Sequence, residues 1–225
     1  MGEASRARHL TRSWDSRLTG RAPDGPTDPD RLALMPSTDG FEQILRGRLV
    51  YLRSAERDDI PLFVRWLSDA RTTGYLAARS PIGLAMEERW FETLLDHHGH
   101  DRWFFVICRL EDDRPLGTLD LREIGPTSGG AGVGIAIGDP ADTGHGYGTD
   151  ALRILLDFGF GELRLERMWL EVFEFNERAR HVYERLGFVH EATLRHAIFH
   201  GGRHLDLQRH GILREEWAER RAATI

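Results

Sequence analysis

A glycine-rich segment in the second half of the chain has the composition of an anion-binding loop. It reads Thr143, Gly144, His145, Gly146, Tyr147, Gly148 and Thr149. Glycine at alternate positions lets successive backbone N–H groups turn to one side as a concave nest, and the positive N-terminal end of a following helix adds to the attraction. We therefore expect a phosphate or pyrophosphate to bind here. A flexible connection between a strand and a helix is the alternative that this segment alone leaves open.

The rest of the sequence excludes the best-known phosphate-binding motifs. The dinucleotide fingerprint requires a third glycine where Thr149 stands. All 30 residues counted as lysine or arginine are arginine, so the lysine of a P-loop NTPase or a protein kinase is missing. Mechanisms that need a lysine Schiff base are excluded for the same reason. Backbone groups must therefore do most of the anion binding in this loop.

A second group of polar residues follows in a predicted strand and the helix after it. Alternation along the strand places Glu171 on the same face as Trp169 and Phe173, where burial would make its carboxylate a more useful base. Tyr183 lies beyond the end of the strand, where its phenol could approach the same cleft. Taken alone, Glu171 could be a solvent-facing strand carboxylate and Tyr183 a half-buried helix residue.

The cysteine and histidine residues do not indicate a metal centre. Cys108 is the only cysteine, which excludes an intramolecular disulfide and a Cys-rich zinc site, and its apolar neighbours predict a buried thiol. Histidines cluster at positions 97, 98 and 100 and again at 196, 200 and 204. The first cluster suits a helix end and the second a polar hairpin surface. We assign no metal to either.

Composition and charge limit the class of protein. The chain has 225 residues, is 40% hydrophobic and carries a formal net charge of −6, which provides no general attraction for nucleic acid. It has neither an apolar stretch of about 18 residues nor the apolar core of a signal peptide. We therefore expect a cytoplasmic protein with no nucleic-acid or membrane partner, either a monomer or a homodimer.

The hydrophobic pattern predicts a tail followed by one domain. Residues 1–40, rich in arginine and proline, predict a disordered tail, and 41–225 predict a single domain. Strands are predicted at 49–52, 103–110, 116–122, 133–137 and 168–173, with a hairpin from about 192 to 213. Helices are predicted after Ser54, through 86–95, from 151 to a cap at Gly161, and from 179 to Gly187. Strand pairs with inserted helices and no regular βαβ repeat indicate an α+β fold with a mixed sheet.

The two polar segments, in this order, resemble the acetyl-CoA-binding core of the GCN5-related N-acetyltransferases, the GNAT family. Thr143, Gly146 and Gly148 occupy positions of the family's pyrophosphate loop, Arg/Gln-x-x-Gly-x-Gly/Ala. The remaining matches are similar to the branch that acetylates ribosomal proteins, and they are Leu170-Glu171-Val172, Asn176, Tyr183, Gly187-Phe188 and residues 213–217. The resemblance covers roughly residues 46–217. It implies the GNAT acyl-CoA N-acyltransferase fold, with acetyl-CoA as co-substrate and no metal.

The resemblance also implies roles for individual residues. Glu171 would be the general base, Tyr183 the general acid and Asn176 a contact to the cofactor. The remaining cofactor contacts would come from the backbone of Ile135, Ala136 and Ile137 and from the loop 143–149. For the 3′-phosphate of CoA, the nearest cations in the sequence are Arg153, Arg178 and Arg180.

Two positions depart from the family pattern. Thr143 replaces the arginine or glutamine that opens the loop, which removes a side-chain contact and keeps the backbone N–H groups. Gly132 stands where many relatives carry a glutamate, so that route to a base is closed. Asp120 and Glu174 are weaker substitutes for Glu171 as the base.

The resemblance implies an amine acceptor and leaves its kind open. A protein N-terminal α-amine comes first, and a small-molecule amine, such as a polyamine, an amino sugar or an antibiotic, comes second. The loops that would select it lie around residues 71–75 and 199–204. A non-catalytic acyl-CoA-binding module is a third alternative, against which the presence of both Glu171 and Tyr183 argues.

Overall fold

The computed structural model describes residues 45–76, 82–125 and 127–223. Its strands are β1 (Val50–Ser54), β2 (Trp103–Arg109), β3 (Pro115–Arg122), β4 (Gly130–Ile137), β5 (Arg167–Phe173), β6 (Val189–His200) and β7 (Arg203–Leu213). Its helices are α1 (Ile60–Leu67), α2 (Ala70–Thr73), α3 (Leu84–His97), α4 (Tyr147–Gly161), α5 (Glu177–Leu186) and α6 (Arg214–Ala222). The tail predicted for residues 1–40 lies outside the described residues, so the start of the domain stays a prediction.

The seven strands of the described ranges form one mixed sheet. Their order is β1-β2-β3-β4-β5-β7-β6, and neighbours run antiparallel except for β4 and β5, which are parallel. A parallel pair needs a long crossover connection, and α4 supplies it. This topology confirms the predicted α+β class with a mixed sheet.

Helices cover both faces of the sheet. Alternation along β2 sends Phe105 and Ile107 into one core and Phe104 and Val106 into another, so the two cores lie on opposite faces. The larger core contains the buried residues of α4 and α5, and the smaller one contains those of α1 and α3. Met168, Leu170 and Val172 of β5 belong to the larger core, which leaves Glu171 on the face that carries α1 and α3.

Most predicted elements are present, with differences at their ends. The helix predicted after Ser54 begins only at Ile60, because a 3-10 turn at Arg57–Asp59 precedes it and Pro61 occupies its first turn. Gly161 is the last residue of α4, not a cap beyond it. The terminal hairpin starts earlier, at Val189, and α6 was not predicted. None of the helices in the described part of the chain is long and apolar enough to cross a bilayer.

Candidate active site

Strands β4 and β5 separate after a short paired stretch. Residues 130–132 pair with 167–169, and the described residues show no further pair between these two strands. Past that point, residues 133–137 of β4 and 170–173 of β5 line a cleft of about 1360 Å³. The facing backbone groups, which a continuous ladder would use for hydrogen bonds, are therefore available to a ligand. The predicted contacts Ile135, Ala136 and Ile137 all line this cleft.

The glycine-rich loop forms part of the cleft wall. Gly144 and Gly146 both have φ of +86°, a left-handed conformation that glycine adopts without steric penalty. Gly146 is the N-cap of α4, and no side chain caps that end of the helix, so its first N–H groups can bind an anion. The Thr143 hydroxyl donates a hydrogen bond of 2.7 Å to the Pro140 carbonyl, which fixes the start of the loop.

Six of the seven predicted loop residues line the cleft, and His145 is the exception. The lining members are Thr143, Gly144, Gly146, Tyr147, Gly148 and Thr149. The exposed ring of His145 stacks instead on that of Tyr147, with 5.8 Å between the ring centroids. The stacked ring of His145 therefore lies outside the lining of the cleft.

Two carboxylates hold the loop and α4 in place. The buried carboxylate of Asp150 accepts backbone hydrogen bonds from Leu49 (2.7 Å) and Val50 (3.2 Å), which ties the first turn of α4 to β1. Asp142 accepts two hydrogen bonds from Arg114, of 2.8 and 2.5 Å, and this guanidinium lowers the pKa of Asp142. The conformation of the glycine-rich loop is thus supported by the fold itself.

Glu171 lines the cleft on the face opposite α4. It lies across from Arg209 of β7, whose Nε and Nη2 both donate to Oε1, at 3.1 and 2.6 Å. The side chain is 31% exposed. The sequence suggested a desolvated carboxylate between Trp169 and Phe173; the structure places a charged partner beside it because β7 presents Arg209 at that register.

Tyr183 reaches the cleft from α5. Its side chain is buried, and no group of the described residues hydrogen-bonds its hydroxyl, although the residue lines the cleft. Burial raises the pKa of Tyr183 to about 12. The phenol therefore keeps its proton at neutral pH and has it free to donate to a ligand.

Asn176 also lines the cleft, at the start of α5. It is the N-cap of that helix, and its Oδ1 accepts a hydrogen bond of 3.2 Å from the Ala179 backbone. This bond uses only the oxygen of the amide, so both Nδ2 hydrogens are available for hydrogen bonds to a ligand. Helix capping and ligand contact are compatible at this residue.

The two substitute bases do not line the cleft. Asp120 is buried between Arg102 and Arg122, with nitrogen–oxygen distances of 2.9 and 3.1 Å. Glu174 is exposed and lies just beyond the end of β5. Among the three candidate carboxylates, Glu171 alone lines the cleft.

An aromatic cluster at the cleft was only partly anticipated. The loops expected to select the acceptor contribute Tyr75 and His200, and the structure adds Phe173 and Phe175. Ring centroids lie 5.8 Å apart for Tyr75 and Phe175 and 5.2 Å apart for Phe173 and Phe175. Tyr75 and Phe175 are 48% and 38% exposed, high values for such large apolar side chains. The sequence signal was the pair Phe173 and Phe175 on either side of Glu174, at the end of β5.

The arrangement fits an acyl-CoA. The splayed strand edges suit the amide-bearing pantetheine arm, and the loop with the free N-terminus of α4 suits the pyrophosphate. Within residues 45–76, 82–125 and 127–223, no group of three His, Cys, Asp or Glu side chains is arranged to hold a metal ion. Chemically, the cleft offers a carboxylate on one face and a protonated phenol on the other.

Comparisons with known proteins agree with this geometry. A family model described as an acetyltransferase (GNAT) domain matches residues 49–189. Spermidine N(1)-acetyltransferase of Escherichia coli is 32% identical over 171 residues, which cover 75% of this chain and 88% of that protein. The Bacillus subtilis protein YdaF, named as a ribosomal N-acetyltransferase, is 32% identical over 108 residues, which cover 48% of this chain and 58% of YdaF.

A solved structure extends the similarity to three dimensions. The crystal structure of spermidine N-acetyltransferase from Vibrio cholerae in complex with CoA and spermine superposes with a TM-score of 0.69 at 26% identity. The match covers 75% of this chain and 98% of that one. The similarity of fold therefore extends over nearly the whole of that protein.

Proposed function

This chain belongs to the GCN5-related N-acetyltransferase family and is an acetyl-CoA-dependent N-acetyltransferase, and on that premise we propose that its acceptor is a small aliphatic polyamine. The observation that carries the proposal is the match to spermidine N(1)-acetyltransferase over 75% of this chain. It favours a polyamine over the protein N-terminal α-amine that the sequence motifs placed first. The match to YdaF, over 48% of the chain, supports the N-terminal amine less.

Features of the cleft support a cationic, partly apolar acceptor. Aromatic faces such as those of Tyr75 and Phe175 attract alkylammonium groups and pack against methylene chains. The free Oε2 of Glu171 can accept a hydrogen bond from an ammonium group. A formal net charge of −6 favours the approach of a polycation from solution.

The proton transfers are assigned to Glu171 and Tyr183. Acetyl-CoA supplies an activated acetyl thioester. A protonated amine is not a nucleophile, so Glu171 takes a proton from the ammonium at Oε2, directly or through a water molecule. The neutral nitrogen then attacks the thioester carbonyl carbon, and the carbon–sulfur bond breaks. Tyr183 gives its proton to the departing thiolate, and backbone N–H groups near Ile135 would stabilise the oxyanion formed during the attack. Each proton-transfer role is typically worth ~10²–10⁴-fold in rate.

The proposal is tested with an acceptor panel. Initial rates of CoA thiol release are measured with acetyl-CoA and spermidine, spermine, a monoamine of similar length, or a short peptide with a free N-terminal alanine. Mass spectrometry identifies each product. We expect kcat/KM for spermidine to exceed that for the peptide by at least about tenfold. A higher kcat/KM for the peptide, with its N-terminus acetylated, would contradict the polyamine proposal and assign a protein N-terminal amine as the acceptor.

A further inference from the structure

Three residues that follow α2 form one wall of the cleft, on the side where the acceptor amine is proposed to bind. Gly74, Tyr75 and Leu76 line the cleft, and we call them the acceptor wall. Their backbone N–H groups donate hydrogen bonds of 2.9, 3.3 and 3.0 Å to carbonyls of α2. The acceptor wall is therefore a continuation of α2, and its place in the cleft depends on where that helix lies.

The helix α2 is too short to be stable without tertiary contacts. It has four residues, and a single helical turn is unstable in isolation because its few hydrogen bonds do not offset the ordering of its backbone. Arg71 is paired with Asp69 at 2.6 Å, which is a contact within the same segment. Of the four residues of α2, only Thr72 is buried. The buried contact of this helix with the rest of the domain is therefore made by Thr72.

Thr72 is hydrogen-bonded to the end of β4. Its hydroxyl donates a hydrogen bond of 2.8 Å to the carbonyl of Gly138, which lies 66 residues further along the chain. Gly138 directly follows β4, and its N–H donates a hydrogen bond of 2.8 Å to the carbonyl of Leu116 in β3. The backbone of Gly138 thus belongs to the sheet on one side and binds α2 on the other, so the Thr72 hydroxyl joins α2 to the sheet.

A second contact brings the same part of the chain close to Gly138. The buried indole of Trp66, near the end of α1, packs directly against Gly138, where a Cβ atom would lie 2.1 Å from the ring. Only glycine admits such a close approach of a ring to the backbone. Helix α2 begins at Ala70, shortly after α1 ends at Leu67. The close packing of α1 on Gly138 thus places α2 within reach of the same residue.

We propose that Thr72 is a positioning residue for the acceptor, because its hydrogen bond to Gly138 sets the distance between the acceptor wall and the edge of β4. Ile137, which lines the cleft on the cofactor side, directly precedes Gly138. Tyr75 of the acceptor wall packs on Phe175, with 5.8 Å between the ring centroids. The bond therefore holds this aromatic pair at a fixed distance from the strand that faces the acetyl donor. The inference rests on the proposed function for the side of the cleft at which the amine binds.

The test combines steady-state kinetics with acetyl-CoA and spermidine and an equilibrium titration of CoA. Thr72→Val removes the hydroxyl and keeps the volume of the side chain, and Thr72→Ser keeps the hydroxyl. Thr73→Val is the matched control, because the Thr73 hydroxyl bonds to the nearby Asp69 carbonyl, at 3.1 Å, and Thr73 does not line the cleft. Tyr75→Leu, alone and combined with Thr72→Val, tests whether Thr72 acts through the acceptor wall. Thermal unfolding of each variant verifies that the fold is retained.

We expect KM for spermidine to rise about five- to tenfold in Thr72→Val, with kcat and CoA affinity nearly unchanged, because one buried hydrogen bond that supports amine binding is lost. Thr72→Ser and Thr73→Val should behave like the wild type. In the Tyr75→Leu background, Thr72→Val should change KM by less than about twofold, because residues that act through one another are not additive.

A wild-type KM in Thr72→Val, or a rise of the same size in Thr72→Ser, would overturn the proposal. An equal effect of Thr72→Val with and without Tyr75, or a loss of CoA affinity as large as the rise in KM, would also overturn it, since either result indicates a general structural role. If the wild type prefers the alanine peptide of the acceptor panel, that peptide replaces spermidine in the same measurements. Failure of the polyamine proposal is therefore seen in the wild type, and failure of the positioning role is seen in the variants.

Discussion

Glu171 and Arg209 face each other across β5 and β7, and both guanidinium nitrogens in contact bind the same carboxylate oxygen. Nε and Nη2 lie 3.1 and 2.6 Å from Oε1, and the described residues give Oε2 no partner. The pair thus fixes the orientation of the carboxylate and leaves one oxygen free in a cleft that Glu171 lines. Arg209 is a positioning residue for the proposed base.

Replacing Arg209 is expected to slow turnover without weakening the cofactor complex. Arg209→Gln frees the carboxylate to rotate, and we expect kcat to fall roughly tenfold or more because small misplacements of a reacting group are costly. Arg209→Lys should restore part of the loss. Folding stability should change by less than about 1 kcal/mol, as for other partly exposed ion pairs. A change confined to KM for the amine, with kcat preserved, would argue for substrate binding instead.

Tyr183→Phe is expected to lower kcat by about 10²-fold while the dissociation constant of acetyl-CoA changes little. The phenyl ring keeps the packing of the buried side chain and removes only the proton donor. Stopped-flow turnover and equilibrium titration measure the two quantities. A wild-type kcat in the variant would remove Tyr183 from the proton transfer.

The raised pKa of Tyr183 also predicts a dependence on alkaline pH. The folded-state pKa of about 12 lies above the ordinary value of 10.0, so the folded protein holds this proton more tightly than the unfolded chain. Its contribution to stability is fully present below about pH 10 and is lost as the pH rises toward 12. The loss of unfolding free energy over that window should be smaller in Tyr183→Phe than in the wild type. Equal losses of unfolding free energy in the wild type and in Tyr183→Phe would contradict the raised pKa of Tyr183.

Gly146→Ala is expected to weaken CoA binding. A residue with a Cβ pays about 1–2 kcal/mol at a left-handed φ, here +86°, so the loop should relax away from the anion-binding conformation. We expect roughly a tenfold rise in the CoA dissociation constant, measured by calorimetry. Gly161→Ala, at the far end of the same helix with open space around its Cβ position, is the control and should bind CoA normally. Unchanged binding in Gly146→Ala would show that the loop conformation is not needed.

His210 is expected to make the fold sensitive to acid. It is 1% exposed, with neither ring nitrogen hydrogen-bonded within the described residues, and desolvation followed by the nearby His190 lowers the pKa of His210 below 6.5. The folded protein favours the neutral form of His210. The stability that this preference provides is present above about pH 6.5 and is lost as the pH falls below that value. Glu184 and Glu191 act in the opposite direction, and Arg180 reinforces the shift.

The measurement is urea unfolding between about pH 8 and pH 5. The unfolding free energy of His210→Leu should fall less over this range than that of the wild type. Exposed His181→Gln is the control and should follow the wild type. Parallel curves for His210→Leu and the wild type would rule out the buried histidine as the source.

Local patterns were sufficient to predict the elements that build the cleft. A continuous apolar run predicted β2, the turn after it predicted a hairpin with β3, and the glycine repeat predicted the loop before α4. Those signals are read within one element. Strands β4 and β5 pair at three positions and then separate. The sequence of neither strand shows where that separation begins.

Partners from distant strands could not be predicted in the same way. Arg209 lies 38 residues from Glu171, and its place opposite depends on the β5–β7 register and on the irregular pairing of β6 with β7. The prediction of a desolvated Glu171 took into account only the residues of its own strand. Similarly, whether Arg180 or Arg185 of α5 lines the cleft is decided by the rotation of the helix on the sheet, which packing determines.

The most direct test of the account compares the wild type with Glu171→Gln under the same conditions, with acetyl-CoA and spermidine. CoA thiol and acetylated amine are quantified together, and acetyl-CoA binding is measured separately. We predict one acetylated spermidine per thiol released by the wild type. In Glu171→Gln we predict a rate at least about 10²-fold lower with unchanged acetyl-CoA affinity. Near-wild-type transfer by Glu171→Gln, or thiol release by the wild type without acetylated spermidine, would contradict it.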